Sequence, residues 1–200
     1  MNEKMQHILD FWFGEIAASG NVSNHYQMQW WKKDPAFDQD IHEQFSADIE
    51  KAMAGEYDNW CESAQGRLAL IILLDQFSRN IYRDTPKAFM QDPKALQIAL
   101  DGVAANQDRK LLPIQRVFFY MPLEHSEDKA LQQQCVALFR DLDTKVAEDQ
   151  KALFNNFLDF AIKHQEIVER FERFPHRNTI LGRESTDVEQ AFLQQPGSSF

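Results

Sequence analysis

Apolar residues recur along this chain at helical spacing. Phe37, Ile41, Phe45, Ile49 and Met53 form an unbroken i, i+4 series, which is one face of an amphipathic helix. Leu96, Ala99, Leu100 and Val103 form a second stripe, and Cys135, Leu138, Phe139 and Leu142 a third. Leu153, Phe157, Phe160, Ile167, Val168 and Phe171 predict one long helix from about Glu148 to Phe171. No segment alternates with period two, and no Asn-Gly or Asp-Gly pair joins strand-like runs.

Start and stop signals divide the stripes. Asp34-Pro35 and Asp92-Pro93 each set a capping carboxylate before a first-turn proline, and Thr85-Pro86 repeats the pattern. Thr186 to Glu189 reads as a capping box, while Gly55 and Gly182 read as C-terminal stops. The chain therefore reads as one all-α domain over residues 1–200, with roughly eight to ten helices. Residues 14–29 are the least regular and predict a long loop, and the Pro-Gly-Ser-Ser tail over 195–200 predicts a frayed end. Val, Ile and Thr together number 23 of 200 residues, a balance that disfavours a β-sandwich or barrel.

Charge narrows the partners. The net charge is −10 and is spread evenly: residues 1–100 hold 9 basic and 15 acidic side chains, residues 101–200 hold 12 and 16. No basic face for nucleic acid or an anionic membrane is expected from that balance. The longest apolar run, Leu68 to Leu74, is far shorter than the ~20 residues that span a bilayer. Met1-Asn2-Glu3-Lys4 lacks the basic start of a signal peptide. Two cysteines, Cys61 and Cys135, without CxxC spacing predict reduced thiols and a cytoplasmic protein. There is no Gly-rich phosphate loop, GxSxG, HExxH or zinc spacing, so neither a cofactor nor a metal is expected.

Four places break the rule of apolar stripe and solvated face. The run from Leu68 continues without a break into Asp75, Gln76, Arg79, Asn80 and Arg83. Asp75, Arg79 and Arg83 share a helix face, with Asp before Arg in the favourable order. Buried there, they line a polar pocket or form a structural salt bridge. Pro122 is expected to interrupt a helix that begins near Pro113, and Ser126 to cap the next, which places Glu124 and His125 at a junction. A Glu-His pair does acid–base work, binds metal or satisfies helix ends. His164 falls on the apolar stripe of the long helix, either as a hydrogen-bonded core residue or as a catalytic one.

The fourth place, Arg170 to Arg183, holds four arginines, no lysine and His176. Pro175 is expected to open a second short helix with His176, Arg177 and Asn178 in its first turn, a candidate anion site. The alternative is a packed corner whose arginines, Arg173 among them, hold acids. Trp12, Phe13, Trp30 and Trp31 cluster near the start, and Trp31 either walls a pocket or covers the core.

These same residues carry a resemblance. Asp75-Gln-Phe-Ser-Arg-Asn80, Pro122-Leu-Glu-His-Ser-Glu-Asp128, Arg170-Phe-Glu-Arg-Phe-Pro-His-Arg-Asn178 and Leu181-Gly-Arg-Glu-Ser-Thr186 resemble the signatures of the domain of unknown function 924 family. Ile8 to Gly14 and Trp30-Trp31 also match. The resemblance spans essentially the whole chain. Glu172 departs from it, standing where the family pattern usually has Gly. The resemblance implies a tetratricopeptide-like helical fold in cytosolic proteins and no established activity. Tetratricopeptide signature residues are not evident in the sequence itself.

Three functions compete. The first is a site for a small anionic molecule, binding or catalytic, built from Trp31, Asp75, Arg79, Asn80, Glu124, His125, His164, Arg173, His176, Arg177 and Asn178, because conflicts with local pattern gather at functional sites. The second is an interaction module that binds a protein or peptide in a helical groove. In the third, the polar groups are internal networks that specify one packing. The sequence does not fix an oligomeric state.

Overall fold

The periodic stripes become helices because each can bury one face. The computed structural model describes residues 2–199 and contains, among these, helices and no strand. The helices are α1 (Glu3–Phe13), α2 (Asn24–Trp31), α3 (Pro35–Ala54), α4 (Ala64–Ile71), α5 (Ser78–Ile81), α6 (Asp92–Ala104), α7 (Pro113–Glu124), α8 (Lys129–Asp143), α9 (Lys151–Phe171) and α10 (Asp187–Leu193). A π-helical stretch, Ile72–Phe77, joins α4 to α5, so residues 64–81 form one uninterrupted rod.

Local signals are used largely as read. The Asp34 carboxylate accepts from the Ala36 and Phe37 amides, and Gly55 closes α3 in the left-handed region at φ 86°. Thr186 and Glu189 complete a capping box on α10. Four expectations change. Residues 24–31 are helical, so the irregular stretch covers residues 14–23 and not 14–29. Pro122 lies inside α7, in its last turn, and does not interrupt it. Asp128, not Ser126, caps α8, and Ser126 Oγ accepts from the Asp128 amide. Pro175 opens a single 3-10 turn, Pro175–Arg177, too short to give the N-terminal anion site expected there.

The core is one large cluster centred on the rod. Leu68 to Leu74 are all fully buried, which accounts for an apolar run with no solvated face. The rod packs on α3, α6 and α7, while α7, α8 and α9 are successive neighbours. This arrangement is compatible with the helical hairpins implied by the resemblance. On α9, Phe154, Phe157, Ala161, His164, Ile167 and Val168 face inward, and Phe160, read as part of the stripe, is 39% exposed. No helix of the described residues is long and apolar enough to cross a membrane.

Glu172 terminates α9 in the left-handed conformation, φ 60° and ψ 11°. Glycine adopts that geometry without the Cβ clash. The helix end thus keeps a glycine's shape with glutamate in place. In the tail, Ser198 is buried and its hydroxyl donates to the Leu193 carbonyl, while Met1 and Phe200 lie outside the described residues.

Candidate functional site

Asp75 sits in the π-helical stretch with no exposed surface. Such stretches are rare and gather at functional sites. A buried carboxylate must be paired, and Asp75 has three partners. His125 Nδ1 is 2.7 Å and Arg79 Nη2 3.2 Å from Oδ1, and Gln76 Nε2 donates to Oδ2 at 2.5 Å. Burial opposes its ionisation, but the Arg79 charge and the hydrogen bonds from His125 and Gln76 outweigh burial and hold its carboxyl well below the usual range.

Arg79 joins this core to the segment before α6. Its guanidinium makes a fork to Asp92 at 2.9 and 3.0 Å and donates to the Ala88 carbonyl at 2.9 Å. Asp92 is therefore no helix cap, contrary to the sequence reading. Gln91 occupies the cap position with no side-chain cap bond, and the ion pair has taken the carboxylate.

His125 ends α7. Because the ionised Asp75 only accepts, His125 Nδ1 carries the proton and donates it, which leaves Nε2 with its lone pair. Burial and the Arg79 charge lower the imidazole's pKa, against the pull of Asp75. The His125 carbonyl accepts from Arg177 Nη1 at 3.0 Å, tying the turn after α9 to the end of α7. Glu127 reinforces that tie. Its carboxylate accepts from the Phe174 amide at 2.8 Å and from Arg183 at 2.7 and 2.9 Å.

Behind His125 lies a second buried pair. His164 Nδ1 is 3.0 Å from Glu124 Oε1 and 2.9 Å from the Phe160 carbonyl. The His125 and His164 rings are 6.4 Å apart. Burial and nearby Asp75 push Glu124 up to about 8, and burial pushes His164 down to about 3. The pair is thus neutral at pH 7. Phe174 packs edgewise on His164, and His176 lies 5.7 Å from the Phe174 ring, with burial pushing its pKa down to about 4.

A cleft of about 530 Å³ opens over these groups. Pro86, Phe89, Met90, Pro93, Leu96, Pro122 and Leu181 wall it, and Asp92, His125, Ser126, Glu127 and Arg177 supply its polar surface. Arg177 is 6% exposed and packs on the Phe89 and Phe174 rings at 4.8 and 4.5 Å. Its Nη1 is 3.6 Å from Asp92, and burial beside Arg79 pushes its pKa down to about 10.

Of the residues singled out in the sequence, Asp75, Arg79, Glu124, His125, His164, His176 and Arg177 come together here. Four do not. Asn80 donates to Asp38, which also takes a fork from Arg83. Asn178 donates to Ser185. Arg173 forks onto Glu189 and donates to the Glu184 carbonyl. Trp31 covers Phe118 and Phe157 and is 55% exposed. Sequence reasoning missed Asp92 and Glu127 as arginine partners, and Phe89 altogether. Among the described residues no three His, Cys, Asp or Glu side chains group to hold a metal ion.

The family model described as "Bacterial protein of unknown function (DUF924)" matches residues 8–197. This chain belongs to the DUF924 family. A solved structure, "Structure of Protein of Unknown Function ATU0120 from Agrobacterium tumefaciens", is 36% identical and superposes with a TM-score of 0.81. The match covers 96% of this chain and 97% of that one. No curated protein matches. Three of the DUF924-like segments quoted above, those around Asp75, Glu124 and Arg177, come together at the cleft.

Proposed function

We propose that the cleft receives a small anionic molecule, which Arg177 binds and His125 serves as general base. The observation that carries this reading is the His125–Asp75 pair. Asp75 fixes the tautomer and orientation of a ring that lines the cleft, and among the described residues Nε2 makes no hydrogen bond. A base must be neutral at working pH and within reach of the proton it takes. His125 is held neutral by its surroundings. Asp75 in turn stabilises the imidazolium that forms when Nε2 accepts a proton. Arg177 supplies the charge, since Arg79 and Arg183 are already engaged in forks to Asp92 and Glu127.

A thermal-shift screen of wild type and Met90→Trp against small carboxylates and phosphates tests this. Met90 is 57% exposed and lines the cleft, so the larger ring blocks the opening without disturbing the core. A ligand at 100 times its Kd stabilises by about 2.7 kcal/mol. The expected result is a shift in wild type that Met90→Trp loses while its own melt stays native. Equal shifts in both proteins, or none in wild type, count against the cleft.

A further inference from the structure

This inference rests on the reading of the cleft as an anion site and narrows it. We infer that the ligand is a monocarboxylate carried on an apolar body, rather than a phosphate or a nucleotide. Three observations on the cleft lead there.

The first is the count of uncommitted charge. Arg79 and Arg183 each spend both ends of the guanidinium on one carboxylate. Arg177 is the arginine that lines the cleft: Nη1 is engaged with the His125 carbonyl, Nε is buried, and Nη2 makes no hydrogen bond among the described residues. One guanidinium with Nη2 uncommitted suits one singly charged carboxylate.

The second is repulsion. Asp92 and Glu127 are part of the cleft surface. A single negative charge seated on Arg177 tolerates them, whereas a phosphate dianion or a chain of phosphates brings further charge against them. No Gly-rich loop or lysine is present among the lining residues to offset that charge.

The third is the wall. Phe89, Met90, Leu96 and Leu181 with three prolines surround the polar floor. Burying a hydrocarbon body there is worth about 0.8 kcal/mol per methylene, or about fourfold in affinity. His125 and Arg177 are held together through the Arg177 Nη1 bond to the His125 carbonyl, so a carboxylate on Arg177 keeps its neighbouring atoms beside the imidazole.

Isothermal titration of the full chain with butyrate, hexanoate, octanoate, 3-phenylpropionate, inorganic phosphate and AMP decides the point. Affinity is expected to rise about fourfold per added methylene from butyrate to octanoate, with 3-phenylpropionate binding and phosphate and AMP not. Met90→Glu should weaken octanoate severalfold more than Met90→Gln does, since both make the exposed position polar and only the first adds negative charge. Arg177→Gln with a native melt should abolish binding, and if that variant does not fold the Met90 pair still tests the charge. Phosphate or AMP binding tighter than the carboxylates, lost in Met90→Trp, overturns this inference and leaves the cleft reading standing. Affinity independent of chain length also overturns it. Binding by none of the six compounds overturns the cleft reading and this inference together.

Discussion

His125 Nδ1 lies 2.7 Å from Asp75 Oδ1, although fifty residues separate them in the chain. The contact joins the end of α7 to the π-helical part of the central rod. Everything else in the site is arranged around it. Arg79 approaches the same oxygen from one turn along the rod, and Arg177 holds the His125 carbonyl from the turn after α9.

Replacing Asp75 with Asn removes a buried charge and leaves Arg79 with Asp92 alone. Breaking a buried pair costs ~3–5 kcal/mol, and a loss in that range is expected from urea unfolding of Asp75→Asn. The same variant should lower the His125 pKa further, because Asp75 is the group that raises it. Histidine NMR titration reads that shift. An unchanged His125 titration would show that the pair does not govern the ring.

Stability should depend on pH with a maximum near 6.5, for a reason that can be signed group by group. His164 and His176 have folded-state values of about 3 and 4 against an ordinary 6.5. The unfolded chain takes up their protons first, so stability is lost as pH falls below 6.5 and continues to fall towards pH 3–4. Glu124 acts in the opposite sense. Its folded value is about 8 against 4.5, so its contribution is full below 4.5 and is lost as pH rises through 8. One proton of difference is a slope of about 1.4 kcal/mol per pH unit. Glu124→Gln should therefore flatten the decline between pH 6.5 and 8 and steepen the rise between pH 4.5 and 6.5, where Glu124 opposes the histidines. Denaturant midpoints measured from pH 4 to 9 in both proteins check it.

Glu172→Gly should stabilise the protein. A non-glycine residue in the left-handed region costs roughly 1–2 kcal/mol, and Glu172 has that conformation at the end of α9. Its ion pair with Lys129 is at the surface, 2.7 Å long, and offsets little. A gain of about 1 kcal/mol in urea is expected. A destabilised variant would mean that the Lys129 contact matters more than the backbone.

Arg173→Ala should release α10 without emptying the cleft. Arg173 forks onto Glu189, whose carboxylate is buried and held near 2 by that arginine. Hydrogen exchange should show lost protection over residues 187–193 while the rod and α7 stay protected. Binding of octanoate should survive. Loss of binding with α10 still protected would return Arg173 to the ligand site.

Residues predicted from the sequence and residues found in the structure differ in an instructive way. Asp75, Arg79, Glu124, His125, His164 and Arg177 were legible because each is a polar group where the helical pattern calls for an apolar one. Asn178 and Arg173 broke the same pattern, yet they satisfy Ser185 and Glu189. A break in pattern marks a buried polar group and does not say whether its partner is a ligand or the protein. Asp92 shows the converse. Before proline it looked like a cap, and its use as the Arg79 partner could not be read from its neighbours.

The sequence by itself determined most of the helices and the fully buried rod, because those follow from the period of apolar residues and from short-range capping chemistry, and its short motifs carried the family resemblance. The tertiary structure alone decided that the ends of the rod, α7 and α9 meet at one cleft, and which arginine there keeps donors to spare. Those facts depend on contacts between residues 13 to 56 positions apart, such as Arg79 with Asp92 and Arg183 with Glu127. Ion pairs of that reach are set by how helices pack, and no local spacing records them.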